Sequence, residues 1–140
     1  LPGVRLDKLQ RVQNRAARLV LGIPSNDHSS TSAMLRTLHW LPIRARIEYK
    51  IALLCFNAQN SLAPSYLTDL ITPYNPSRKF RSSGKHHLAV PKTKLKTFGD
   101  RSFSKTGPVI WNSLPDSVRL SGSSGVFKKR LKTFLFCKHL

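Results

Sequence analysis

The densest chemistry in the chain lies between Arg78 and Lys105. Arg78, Lys79, Arg81, Lys85, Lys92, Lys94, Lys96, Arg101 and Lys105 are nine cations facing a single acid, Asp100. Phe80 sits inside the run Arg78-Lys79-Phe80-Arg81. Cations at this density neutralise phosphates and release counterions, which gives affinity without reading bases. A ring between them stacks on a base once the backbone is held. The alternative for Phe80 is packing onto a helical core. These ten residues are the candidate nucleic-acid contacts.

Other chemistries find less to work with. Asp7, Asp27, Glu48, Asp69, Asp100 and Asp116 are the only acids, and no two are neighbours. The adjacent carboxylates that would hold paired metal ions for nucleotidyl transfer are therefore missing. Asp27 followed by Glu48-Tyr49-Lys50 meets the acid, acid-x-Lys spacing of a metal-dependent nuclease. Glu48 and Lys50 lie in a helical pattern, however, where positions two apart point to different sides. Cys137-Lys138-His139 and His86-His87 supply zinc-ligand types without a C-x-x-C or H-x-x-x-H pair. Cys55 reads as a small core residue. No Gly-x-Ser-x-Gly elbow and no glycine-rich phosphate loop occurs. The expectation is a non-enzymatic chain with no catalytic residue, no metal and no cofactor.

The elements that must position the basic segment are mainly helical. Leu6, Leu9, Val12, Ala16, Leu19 and Val20 recur at helical spacing, and Gly22 with Pro24 supplies a stop. Lys8, Arg11, Arg15 and Arg18 form a basic stripe beside them. A short helix through Leu38 is expected next. Pro42 then opens the most apolar helix, with Ile43, Ile47, Ile51, Leu54 and Ala58 on its inward face. Ala63-Pro64-Ser65 opens another short helix through Ile71. From Thr72 the composition turns basic, and Leu88-Ala89-Val90 with Leu95-Lys96-Thr97-Phe98 predicts a short hairpin, Pro91 keeping the first strand at an edge. Gly107-Pro108 restarts a helix that stops before Pro115. A last helix from Val126 to Cys137 turns Phe127, Leu131, Phe134 and Leu135 inward and Lys128, Lys129, Arg130 and Lys132 outward. Trp40 and Trp111, each close to Leu and Pro, are expected core anchors.

The 140 residues carry a net charge of +18 with 40% hydrophobic residues, and the pI is near 11.1. That is enough apolar content to fold, and a charge that the chain must either hold together against its own repulsion or bring to a polyanion. No apolar run approaches the length of a membrane span. Two cysteines make no disulfide scaffold. The expected architecture is mainly α: a single accessory domain over 1–140. It has a helical part (6–71), a basic loop or short β-hairpin insertion (72–105) and carboxy-terminal helices (107–137). A start at Leu1-Pro2-Gly3 with Met34 as the sole methionine leads us to expect a piece of a longer protein.

Six blocks of the sequence carry a resemblance. Leu9-Gln10-Arg11-Val12-Gln13-Asn14-Arg15-Ala16-Ala17-Arg18, Leu38-His39-Trp40-Leu41-Pro42-Ile43-Arg44-Ala45-Arg46-Ile47 and Ala63-Pro64-Ser65-Tyr66-Leu67 come first. Pro76-Ser77-Arg78, Thr97-Phe98-Gly99-Asp100-Arg101-Ser102-Phe103 and Trp111-Asn112-Ser113-Leu114-Pro115 follow. In this order they resemble the region after the polymerase core of reverse transcriptases of LINE-type (non-long-terminal-repeat) retrotransposons, over about Leu6 to Phe136. The resemblance implies an accessory region of an RNA-directed DNA polymerase. Its partners would be RNA or an RNA–DNA duplex and the polymerase core of the parent protein, with no membrane. It carries over no catalytic residue. Two other readings stay open: a structural module that docks on the polymerase core, and a non-functional fragment of a decayed element.

Overall fold

The computed structural model describes residues 3–24, 27–75, 86–92 and 99–140. Seven α-helices lie among them: α1 Gly3–Leu21, α2 Thr31–Thr37, α3 Ile43–Gln59, α4 Ser65–Thr68, α5 Phe103–Asn112, α6 Asp116–Arg119 and α7 Ser124–His139. A 3-10 turn at Gly99–Arg101 precedes α5. No helix among the described residues is long and apolar enough to cross a membrane. The chain is mainly α, as its periodicity predicts.

The chain divides into two compact units. Unit 1 is Leu1–Ile47 with Lys132–Leu140, and unit 2 is Glu48–Leu131. The boundary falls inside α3 and α7, so each of these helices supplies residues to both units. Each unit packs apolar groups of its own among the described residues. One gathers Ala17, Met34 and Leu35, with Leu21, Ile23, Leu38, Trp40 and Leu140 packed against it. The other holds the rings of Phe56, Trp111 and Phe127.

In unit 1, α1 stops where Gly22 predicts. Gly22 takes a left-handed φ of 64°. Ile23 N donates to Arg18 O at 2.9 Å and Gly22 N to Leu19 O at 3.3 Å, the paired bonds of a Schellman cap. Helix α2 ends in the same way through Trp40 N to Leu35 O and His39 N to Arg36 O. There the left-handed residue is His39, at φ 52°, a conformation that costs a side-chain-bearing residue about 1–2 kcal/mol.

The inward side of α1 is not the one its apolar spacing predicts. Gln13 and Ala17 are buried, whereas Leu9 (47%), Val12 (64%), Leu19 (83%) and Val20 (62%) remain exposed. The reason is a set of backbone groups that need partners. Gln10 Oε1 accepts from Ile43 N at 2.9 Å, one of the N–H groups that open α3 without an intrahelical acceptor. Gln13 Nε2 donates to Leu41 O at 2.9 Å in a buried setting. Gln10 Nε2 spends its two protons on Gln13 Oε1 (3.0 Å) and Asn14 Oδ1 (2.8 Å). Gln13→Ala should therefore cost about 1–3 kcal/mol, because the Leu41 carbonyl loses its donor away from water. Val12→Ala, on the exposed side, should fall within roughly 0.5 kcal/mol of the parent. Urea titrations of the two variants followed by Trp40 fluorescence would separate the faces; equal losses would mean that the helix is rotated.

In unit 2 the buried side of α3 is built from small residues. Ala52, Cys55, Phe56 and Ala58 are buried, while Leu54 is 37% exposed and Ile51 only half-buried. Leu54 is thus corrected from an inward to an outer position. Small side chains let α5 come close: a Cβ on Gly107 would lie 3.0 Å from Cys55 Sγ and 3.4 Å from Phe103. Helix α5 also begins four residues before the expected Gly107, at Phe103. Pro108 then falls inside the helix, where Ser104 O loses its N–H partner. A glycine at 107 relieves the crowding that proline imposes on the residue before it. Helix α7 turns Phe127, Leu131 and Leu135 inward as expected, with Phe134 half-buried.

The first expected strand of the hairpin, 88–90, has a partner among the described residues. Leu88 pairs antiparallel with Pro73 in an isolated bridge. Tyr74 N donates to His87 O (2.9 Å) and Ala89 N to Thr72 O (2.8 Å). The other expected strand, 95–98, lies outside the described residues.

Candidate nucleic-acid interface

The roots of the basic insertion are anchored by hydrogen bonds in unit 2. Asn112 reaches residue 88 twice: Leu88 N donates to its Oδ1 at 2.9 Å, and its Nδ2 donates to Leu88 O at 2.8 Å. Trp111 Nε1 donates to His86 O at 2.7 Å. With the Pro73–Leu88 bridge, these bonds tie the chain before residue 76 to the chain after residue 85. On the far side, Thr106 Oγ1 donates to Asp100 O (3.0 Å) and Ser102 Oγ to Gly99 O (2.7 Å). Both flanks of the insertion therefore hang on α5. The sequence supplies this local order through Asn112 and Trp111, side chains whose donors and acceptors match an irregular backbone.

Of the ten expected contacts, Arg78, Lys79, Phe80, Arg81, Lys85, Lys94 and Lys96 lie outside the described residues. Lys92 and Arg101 are exposed, and neither makes a hydrogen bond or ion pair among the described residues. Lys105 is half-buried and paired with the Asp100 carboxylate. A phosphate meeting Lys105 would have to displace that acid, so its share of any affinity is reduced.

Elsewhere the cations divide into structural and unspent. Arg119 reads as one more surface base in the sequence, yet it is buried. Its Nη2 pairs with Asp116, and its Nη1 lies 2.8 Å from His87 Nδ1. The other ring nitrogen, His87 Nε2, lies 3.2 Å from the same Nη1. Arg130 donates to Ser117 O at 2.7 Å. In unit 1, Arg18 donates to Pro24 O and Asp27 O, and Arg44 lies 3.8 Å from Asp7. By contrast Lys8, Arg11 and Arg15 on α1 are exposed and make no hydrogen bond or ion pair among the described residues. The same holds for Lys128 and Lys132 on α7. Three of the six acids of the chain are thus taken by Arg44, Lys105 and Arg119.

One residue at the root of the insertion goes unremarked in the sequence reading. Tyr74 is exposed and lines a concavity of about 470 Å³ with Gln59, Thr68, Asn75, His86 and His87. An exposed ring beside a basic segment can stack on a base. The available signal is its place in Pro73-Tyr74-Asn75-Pro76, where the composition changes.

The residues that suggest other chemistry are dispersed. Asp27 Oδ1 accepts from Ser29 N at 2.9 Å, closing a local turn. Glu48 is half-buried and Lys50 exposed on α3. Among the described residues no three His, Cys, Asp or Glu side chains gather as a metal site. Burial pushes the Cys55 thiol up to about 12, away from the thiolate character a nucleophile needs. No family model, curated protein or solved structure matches the chain.

Proposed function

We propose that this chain is a nucleic-acid-binding accessory region of a LINE-type reverse transcriptase, gripping template RNA or an RNA–DNA duplex through distributed Lys and Arg. The observation that carries the proposal is the surplus of unspent cations. A net charge of +18 is spread over 140 residues, and three of the few acids are already paired. A polyanion with regularly spaced charges offsets this self-repulsion and gains the entropy of counterion release. The ordered sequence blocks give the proposal its parent enzyme. The insertion leads because its charge is densest. Tyr74 and Phe80 add stacking, and Lys92 and Arg101 extend the contact.

The test is fluorescence anisotropy of labelled single-stranded RNA across a salt series. With about five phosphates met on a single strand, the log–log slope should be near −3.5, or roughly a 100-fold loss from 50 to 200 mM salt. Changing Arg78, Lys79 and Arg81 together to Ala should make the slope shallower by up to ~2 and weaken all sequences alike. Tyr74→Ala and Phe80→Ala should each remove roughly 1–3 kcal/mol on single strands if the rings stack. The control changes Lys128, Lys129 and Lys132 to Ala. A control that weakens binding as much as the triple change would sink the site assignment and leave a diffuse field.

A further inference from the structure

The exposed side of α1 carries a pattern that phosphate binding does not use. Leu9, Val12, Ala16 and Leu19 follow one another at spacings of three, four and three, the a and d positions of a heptad seam. In that register Lys8 and Arg15 take the g positions along one edge. Val20 and Gln13 take the e positions along the other. Gln13 is buried on its own unit's backbone, while Leu9, Val12, Leu19 and Val20 stand in solvent. Arg5, one turn earlier in the same register, closes the seam at its amino-terminal end. The result is a straight apolar strip of about two heptads with a basic rail on one side.

We propose that this strip is a docking surface for a partner protein, and that the partner presents an amphipathic helix with leucine-like anchors and an acidic edge. Charge selects that occupant. Lys8 and Arg15 are exposed and make no ion pair among the described residues, so carboxylates at the partner's flanking positions would face unneutralised cations. A second copy of the chain does not offer them. Antiparallel copies set g against g, cation against cation. Parallel copies set g against e, where only Gln13 and Val20 stand. The one acid on α1, Asp7, is already beside Arg44. Nucleic acid would use the rail and leave the strip in water. A bilayer surface suits a broad apolar face with cations around it, whereas here cations line one edge only, and on the other Gln13 is buried against Leu41. The recognition is that of a helix laid along a groove, read by anchors at i, i+3, i+7 and i+10.

The experiment uses the full chain and a labelled peptide of about 21 residues with Leu at a and d and Glu at e and g, in ~150 mM salt. The peptide should bind, and Leu9→Ser with Leu19→Ser should weaken it by roughly tenfold or more while leaving RNA affinity unchanged. A matched peptide with Ala at a and d should be weaker by a similar factor. Both replaced leucines are exposed, so helical circular dichroism and the melt of the double variant should match the parent. Reversing Lys8 and Arg15 to Glu should switch preference to a peptide with Lys at e and g. Equal affinity of parent and double variant for the Glu peptide would reduce the strip to charge attraction and overturn the proposal. So would a dimer in sedimentation velocity that the double variant abolishes, which assigns the strip to a second copy. Loss of RNA binding, or of binding to vesicles containing phosphatidylserine, in the double variant would likewise reassign the strip.

Discussion

Replacing Ala52 with aspartate is expected to abolish the cooperative unfolding of unit 2, whereas replacing Leu54 with aspartate leaves that transition in place. Ala52 is fully buried on α3, and Leu54, two residues on, is 37% exposed. A carboxylate at 52 is taken out of water, and an unpaired buried charge costs several kcal/mol. Domains of this size hold only about 5–15 kcal/mol in total. At position 54 the carboxylate reaches solvent, so the loss should be about 1 kcal/mol. Trp111 fluorescence in a Trp40→Phe background follows unit 2 alone. An Ala52→Asp variant that unfolds as sharply and as late as the parent would show that this side of α3 is not buried.

The second large effect belongs to Phe127. Its ring is fully buried, stacks on Phe56 with centroids 4.3 Å apart and planes at 18°, and lies 5.7 Å from Trp111. One side chain thus joins α3, α5 and α7 within unit 2. Phe127→Ala should lower stability by about 3–5 kcal/mol through lost transfer energy and the cavity left behind. Phe127→Leu keeps most of the volume and should cost less than about 1.5 kcal/mol plus the lost ring contact. Urea midpoints compared at equal slope give both numbers. If alanine and leucine prove equivalent, the ring contacts contribute little and burial alone accounts for the loss.

Much of this fold is legible in hydrophobic spacing. The helical periods locate α1, α3 and α7, and Gly22 marks its stop because few other residues tolerate φ near 64°. What spacing hides is the work of polar groups. Gln10 and Gln13 look like surface residues, yet they face inward because the backbone of Leu41 and Ile43 needs partners there. The isoleucines of α3 look innermost, but Gly107 and Cys55 bring α5 onto the small residues instead. Pro108 looks like a first helical residue, and a glycine before it lets the helix start earlier. At the candidate interface, Lys92 and Arg101 are readable as exposed cations. Lys105 is not readable as neutralised by Asp100, nor Arg119 as buried beside His87, since both contacts arise only through the fold. Tyr74 escapes notice because a lone ring among prolines has no period to betray it.

The close seat of Cys55 under α5 also gives the molecule a clock. Cys55 is buried in unit 2 and Cys137 is exposed at the end of α7, in unit 1. A thiol whose ionisation is pushed to about 12 by burial is almost wholly protonated at neutral pH, and alkylating reagents attack the thiolate. Under native conditions one equivalent of iodoacetamide should therefore add quickly, at Cys137. The second should add only as fast as unit 2 opens. Its rate, read by mass, then measures opening without denaturant, and Gly107→Ala should accelerate it by pressing a methyl against the sulfur. In an opened chain the thiol ionises near its ordinary value of 9.0. The folded form therefore holds the proton longer, and stability falls as pH rises from about 9 toward 12. Two equivalents adding at one rate in the native protein would show that Cys55 is not sealed.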